Sequence, residues 1–174
     1  MARTLISYYS KNKGNNEVLA RLVSTLKKSD IEKIETVKNK GISSVAFSSI
    51  VGIGSKIKPP KYNPMDYDNL LLVSPIYVGN IPLAVVNYLK FFKRKVPKIY
   101  FLSLCGGELR TNKPVMSIKK ATGKTPESVL ILPIKNLCNI KESAKEIMNF
   151  KASEEIIKNS MEFSNLMDFI ENIK

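Results

Sequence analysis

Histidine is absent from this chain. Its absence removes imidazole general-base catalysis, serine–histidine and cysteine–histidine nucleophile pairs, and histidine-ligated metal centres together. Cysteine is scarce: Cys105 and Cys138 are the whole complement, which fits a reducing compartment and leaves room for at most one bridge. No apolar run approaches the roughly 18 residues that mark a membrane span. The first residues, Met-Ala-Arg-Thr-Leu-Ile-Ser-Tyr-Tyr, lack the apolar core of a signal peptide, so a cytoplasmic protein is expected. Acidic side chains are short as well, 15 against 28 lysines and arginines, for a net charge of +13. A surplus of that size favours anionic partners: a phosphorylated cofactor, an acidic protein, nucleic acid or an acidic membrane face. Most of it is lysine spread along the chain, with one short cluster at residues 90–98, as an ordinary solvated surface would also have.

What is present is a globular composition, 44% hydrophobic over 174 residues, the size of one α/β domain with a real core. The pattern is organised around residues 70–82, Leu-Leu-Leu-Val-Ser-Pro-Ile-Tyr-Val-Gly-Asn-Ile-Pro. Its continuous apolar start suits a strand buried on both faces of a parallel sheet. Pro75 has no amide hydrogen for a neighbouring strand and closes the ladder. Gly79 is free to take a positive φ, and Pro82 suits the first position of a helix.

The same alternation recurs. Strands are expected at residues 4–9, 31–37, 70–77, 98–105 and 128–135. Helices are expected from Glu17 onward, with Asn15 or Asn16 as N-cap, and then at 82–92, within 112–122, at 141–150 and at 153–173. Residues 41–60, apolar yet rich in glycine and serine, interrupt the order and read as a loosely helical insertion packed on the sheet or over a site. Five strands alternating with helices, without repeats, give a single doubly wound parallel sheet with helices on both faces.

In such a sheet a ligand sits outside the carboxyl ends of the strands, where the chain order reverses. The first of three marked strand ends is Ser10, Lys11, Asn12, Lys13, Gly14, Asn15 and Asn16. It opens a helix, so its amides form a nest for a phosphate, unless it is an ordinary polar turn. The second is Pro75, Ile76, Tyr77, Val78, Gly79 and Asn80, and the third Ser103, Leu104, Cys105, Gly106 and Gly107. One flat aromatic side chain, small residues and glycines that allow close backbone approach suit a planar ring lying between these two loops. No side chain stands out as a catalytic acid or base, and no metal site is expected. Gly123-Lys124-Thr125 imitates the end of a phosphate loop, but Ile118 stands where the leading glycine is required.

These residues resemble the flavodoxin-like FMN-binding proteins over most of the chain. The matching pieces are Tyr8-Tyr9-Ser10 with Gly14-Asn15, then residues 67–82, then Cys105-Gly106-Gly107. The resemblance implies strand order 2-1-3-4-5 and FMN as cofactor. It places the phosphate on residues 10–16 and the isoalloxazine between residues 75–80 and 103–107. It also implies transfer of electrons or a hydride between a reduced donor and an acceptor, by an electron carrier or an NAD(P)H-dependent reductase. Two departures stand out. The family's phosphate loop usually reads Ser-x-Thr-Gly-Asn-Thr; here it is Ser-Lys-Asn-Lys-Gly-Asn-Asn, one residue longer with both threonines replaced. Electron-carrying flavodoxins also tend to be acidic, so the basic charge favours an acidic redox partner protein or a flavin reductase role. The redox reading does not expect nucleic acid and leaves a homodimer open. The competing reading is a flavin-free module of the same fold that uses its positive face for an acidic protein or nucleic acid. Cys105 and Cys138, at the ends of adjacent strands, read as buried thiols or, more sharply, as a redox pair near the flavin.

Overall fold

The computed structural model of the chain describes residues 2–11, 14–37, 56–92, 95–106, 112–137 and 144–174. Five parallel strands, β1 (Thr4–Tyr8), β2 (Asp30–Lys33), β3 (Asn69–Val73), β4 (Lys98–Cys105) and β5 (Ser128–Pro133), lie in the order β2-β1-β3-β4-β5. Every residue of β1 and β3 is buried, because these two central strands are covered on both sides and alternate side chains enter different cores. On one face Ile6, Leu71 and Leu102 pack under α1 (Asn15–Lys27) and the C-terminal helices. On the other Leu5, Leu72 and Phe101 pack under α2 (Leu83–Phe91) and α3 (Asn112–Thr122). A single turn, α4 (Ile134–Leu137), follows β5, and α5 (Ala144–Asn149), α6 (Glu154–Lys158) and α7 (Phe163–Glu171) complete the chain.

The differences from the sequence-based expectations have local causes. The strand expected at 31–37 ends at Lys33, and Glu35 and Val37 instead pair antiparallel with Lys56 and Lys58 (Val37 N to Lys56 O 2.8 Å, Lys58 N to Glu35 O 2.9 Å). The last residues expected as a loose helix, 56–60, are therefore extended at their start, and 41–55 lie outside the described residues. The strand expected to reach Tyr77 ends at Val73, just before Ser74 and Pro75. Pro82 is the N-cap rather than the first helical residue. The strand expected to reach Lys135 ends at Pro133, where α4 takes over. The long C-terminal helix is divided after Lys158, where the Ser160 hydroxyl donates to Ile157 O (2.7 Å) and competes with the helical ladder.

Two side chains tie distant elements together. Glu32, buried on the edge strand β2, accepts from Tyr88 OH (2.6 Å) and Ser7 Oγ (3.2 Å) through Oε1, and from the backbone N–H of Lys61 (2.9 Å) and Tyr62 (3.3 Å) through Oε2. Four donors satisfy a buried carboxylate, and burial beside it drives the Tyr88 phenol far above its usual range. Lys27, at the end of α1, donates to Ile170 O (3.2 Å) and Ile173 O (3.0 Å), closing the C-terminal end of α7.

Candidate functional site

The carboxyl ends of β1, β3 and β4 stand side by side, because the strands are parallel and adjacent in the order 1-3-4. The chain leaves β1 toward β2 on one side and returns in β3 on the other, so the switch point lies between β1 and β3. The loops after these strands are the three marked in the sequence.

Loop 1 begins at half-buried Ser10 and exposed Lys11; Asn12 and Lys13 lie outside the described residues. Gly14, not an asparagine, caps α1, at φ 75 and with open space where a Cβ would project. The cap expected at Asn15 or Asn16 is thus displaced, and both residues are inside the helix. Their side chains reach other elements. Asn15 Nδ2 donates to Phe150 O (3.1 Å) and its Oδ1 accepts from Ala152 N (2.9 Å). Asn16, 4% exposed, clasps β4 at one residue: Nδ2 donates to Leu104 O and Oδ1 accepts from Leu104 N, both at 3.0 Å. Loops 1 and 3 are joined by this clasp. Gly14 O accepts from Glu17 N (2.8 Å) and Val18 N (3.0 Å), which leaves the amides of Asn15 and Asn16 without an acceptor in the helix, at the positive end of its dipole.

Loop 2 starts with buried Pro75 and Ile76 and turns at its tip. Tyr77 N donates to Asn80 O (2.8 Å) and Asn80 N to Tyr77 O (3.0 Å), with Val78 at φ 51 and Gly79 at φ 79 between them. Two consecutive left-handed residues define a type I′ turn, which glycine meets freely and a β-branched residue does not. Val78 is 85% exposed and Tyr77 42%. α3 braces this turn: Ser117 Oγ donates to Asn80 Oδ1 (3.3 Å), and the Lys113 side chain lies against Gly79. Below the turn, burial together with the neighbouring Tyr77 phenol pushes Tyr9 up to about 12, and burial raises Tyr77 as well.

In loop 3, Ser103, Leu104 and Cys105 are buried, Gly106 is half-buried, and Gly107 lies outside the described residues. A Cβ at Gly106 would stand 2.8 Å from Ile147 Cγ2, so α5 packs directly on this backbone. The Ser103 hydroxyl is fully buried and has no hydrogen-bond partner among the described residues. Cys138 lies outside the described residues, so the cysteine pair expected from the sequence does too. A cleft of about 480 Å³ opens beside loop 1, between Tyr9, Ser10 and Lys11 on one side and Lys33, Val37 and Lys58 on the other.

The structure therefore gathers described residues of all three expected loops at one end of the sheet. Sequence reasoning missed Lys113 and Ser117 of α3, and the clasp of Asn16 on Leu104. Nothing short of the packing signals these contacts, since a lysine, a serine and an asparagine at helix positions read as solvated or as caps. Among the described residues no group of three histidine, cysteine, aspartate or glutamate side chains could hold a metal ion, and no helix is long and apolar enough to cross a membrane.

No protein-family model matches the chain, and no curated protein matches it. Solved structures do. A flavoprotein from Lactobacillus acidophilus NCFM in complex with FMN superposes with a TM-score of 0.63 at 19% identity, over 75% of this chain and 93% of that one. The apo-form of the flavoprotein from the same organism gives a TM-score of 0.57 at 13% identity, over 78% and 95%. A candidate flavoprotein from Bacteroides eggerthii DSM 20697 gives 0.63 at 17% identity, over 86% and 95%. Likeness at these identities establishes a shared fold.

Proposed function

We propose that this chain, whose fold is flavodoxin-like, binds FMN at the ends of β1, β3 and β4 and serves as a redox protein. The observation that carries the reading is the convergence of three loops at the switch point, with Gly14 and Gly79 both in left-handed backbone at the mouth. The residues fit the group. A Cβ at Gly14 would meet open space, and the amides of Asn15 and Asn16 beside it would hold a phosphate together with the helix dipole. Ser10 and Lys11 add a hydroxyl and a positive charge; the Asn15 and Asn16 side chains act by fixing the loop, since they bond to the chain itself. Pro75 to Asn80 would line one side of the isoalloxazine ring and Ser103 to Gly107 the other, where the Ser103 hydroxyl, buried and without a partner among the described residues, is a polar group. Bound flavin supplies one- or two-electron chemistry; the protein positions it and tunes its potential.

The basic charge of the chain supports an acidic redox partner. It also supports the rival reading of a flavin-free module that binds acidic protein or nucleic acid, which the internal use of both asparagine side chains favours. Titration of the purified protein with FMN separates the two. Quenching of flavin fluorescence and a shifted visible spectrum are expected. Salt-sensitive binding to a polyanion with no uptake of FMN would replace the redox reading by the rival.

A further inference from the structure

Outside the loops themselves, the surface beside loop 2 has an uneven character. α3 carries Lys113, Lys119 and Lys120, all exposed, and no carboxylate. On the same helix Met116 is 68% exposed, and at the adjoining turn Val78 is 85% and Tyr77 42% exposed. The hydrogen bond from Ser117 to Asn80 and the packing of Lys113 on Gly79 hold the helix and the turn together as one surface. Lys113 therefore stands beside the turn that exposes Tyr77 and Val78, and exposed Met116 shares its helix with Lys113, Lys119 and Lys120, three and four residues away, so large exposed side chains and ammonium groups lie on one surface. Val78 makes the point most sharply. A β-branched residue is disfavoured at φ 51, and at 85% exposure its side chain contributes little to the core.

We propose that this surface, the tip of loop 2 with the outward side of α3, docks an acidic protein. On the flavin reading above, on which this role rests, the partner is a one-electron redox protein: as the flavin loses an electron the partner's centre gains it, or the reverse. Charge complementarity selects the partner's sign, since carboxylates facing the lysines steer encounter and fix orientation. The apolar centre selects protein over nucleic acid. Protein interfaces enrich methionine and aromatic side chains in a desolvated centre with a polar rim, whereas phosphate recognition relies on charged and hydrogen-bonding donors.

The test is an amide-shift NMR titration of the full chain, with and without FMN, using an acidic [2Fe–2S] ferredoxin as probe, at low and at physiological salt. Shifts are expected at residues 77–80 and 112–120. Binding should weaken by about ten-fold or more in the triple variant Lys113→Glu, Lys119→Glu, Lys120→Glu, as at physiological salt. Val78→Ser, which changes no charge, should weaken binding as well; circular dichroism verifies that both variants fold. Shifts centred elsewhere, absence of binding at low salt, or undiminished binding by the triple variant would overturn the assignment. So would tighter binding of a duplex oligonucleotide at the same face. If FMN is not taken up, the flavin reading falls alone, because the map of the docking face is read from the FMN-free protein as well.

Discussion

At Val78 the chain keeps a β-branched residue in left-handed backbone on an exposed turn. Asparagine tolerates that conformation and is favoured in type I′ turns. Val78→Asn is therefore expected to raise stability by about 1 kcal/mol, seen as a higher urea midpoint at unchanged slope, while affinity for an acidic partner falls. A lower midpoint would mean that the valine side chain supports the fold after all. The sequence made half of this turn legible. Gly79 announces a positive φ, but nothing in a valine does, and its conformation follows from the bonds that Tyr77 and Asn80 exchange across it. The asparagines of loop 1 show the opposite failure. Asn15 and Asn16 match the local signal for a helix cap, yet long-range bonds to Phe150, Ala152 and Leu104 claim their side chains, and Gly14 takes the cap.

Between elements, the Asn16 clasp on Leu104 is the contact on which the site's shape most depends. Asn16→Leu would leave a buried N–H and a buried C=O of β4 without their side-chain partner. A loss of about 2–4 kcal/mol is expected in chemical denaturation, together with weaker FMN binding as loops 1 and 3 come apart. Retained FMN affinity at reduced stability would show that the loops hold their places independently. Element boundaries were legible where the apolar run is strong: β4 matches residues 98–105, whereas α3 fills the whole of the range 112–122 within which a helix was expected. They were not where a polar side chain competes with the backbone, as at Ser160, or where a second segment pairs alongside, as Lys56 and Lys58 do beyond β2.

For the molecule as a whole, Tyr9 and Tyr67 carry phenols pushed up to about 12, Tyr9 by burial with the nearby Tyr77, and Tyr67 by burial with hydrogen bonding to Asp30. Their folded-state values lie above the unfolded value near 10. The stability they contribute is present in full below about pH 10 and is lost as pH rises toward 12. Denaturation midpoints should thus decline between about pH 10 and 12, and Tyr9→Phe with Tyr67→Phe should flatten that decline. A decline of unchanged steepness in the double variant would assign it to other groups.

The alternation of strands and helices was legible from apolar runs alone, and the strand order from the likeness of the loops. The net charge was legible too, but not its placement, since only packing brings the lysines of α3 beside the exposed tip of loop 2. That placement bears on self-association. A twofold contact sets each patch against its own copy, and a helix side bearing cations without anions would then oppose like to like. Molecules of this chain should keep that side apart from one another in dilute buffer, and any pairing of two copies would have to use a different part of the surface.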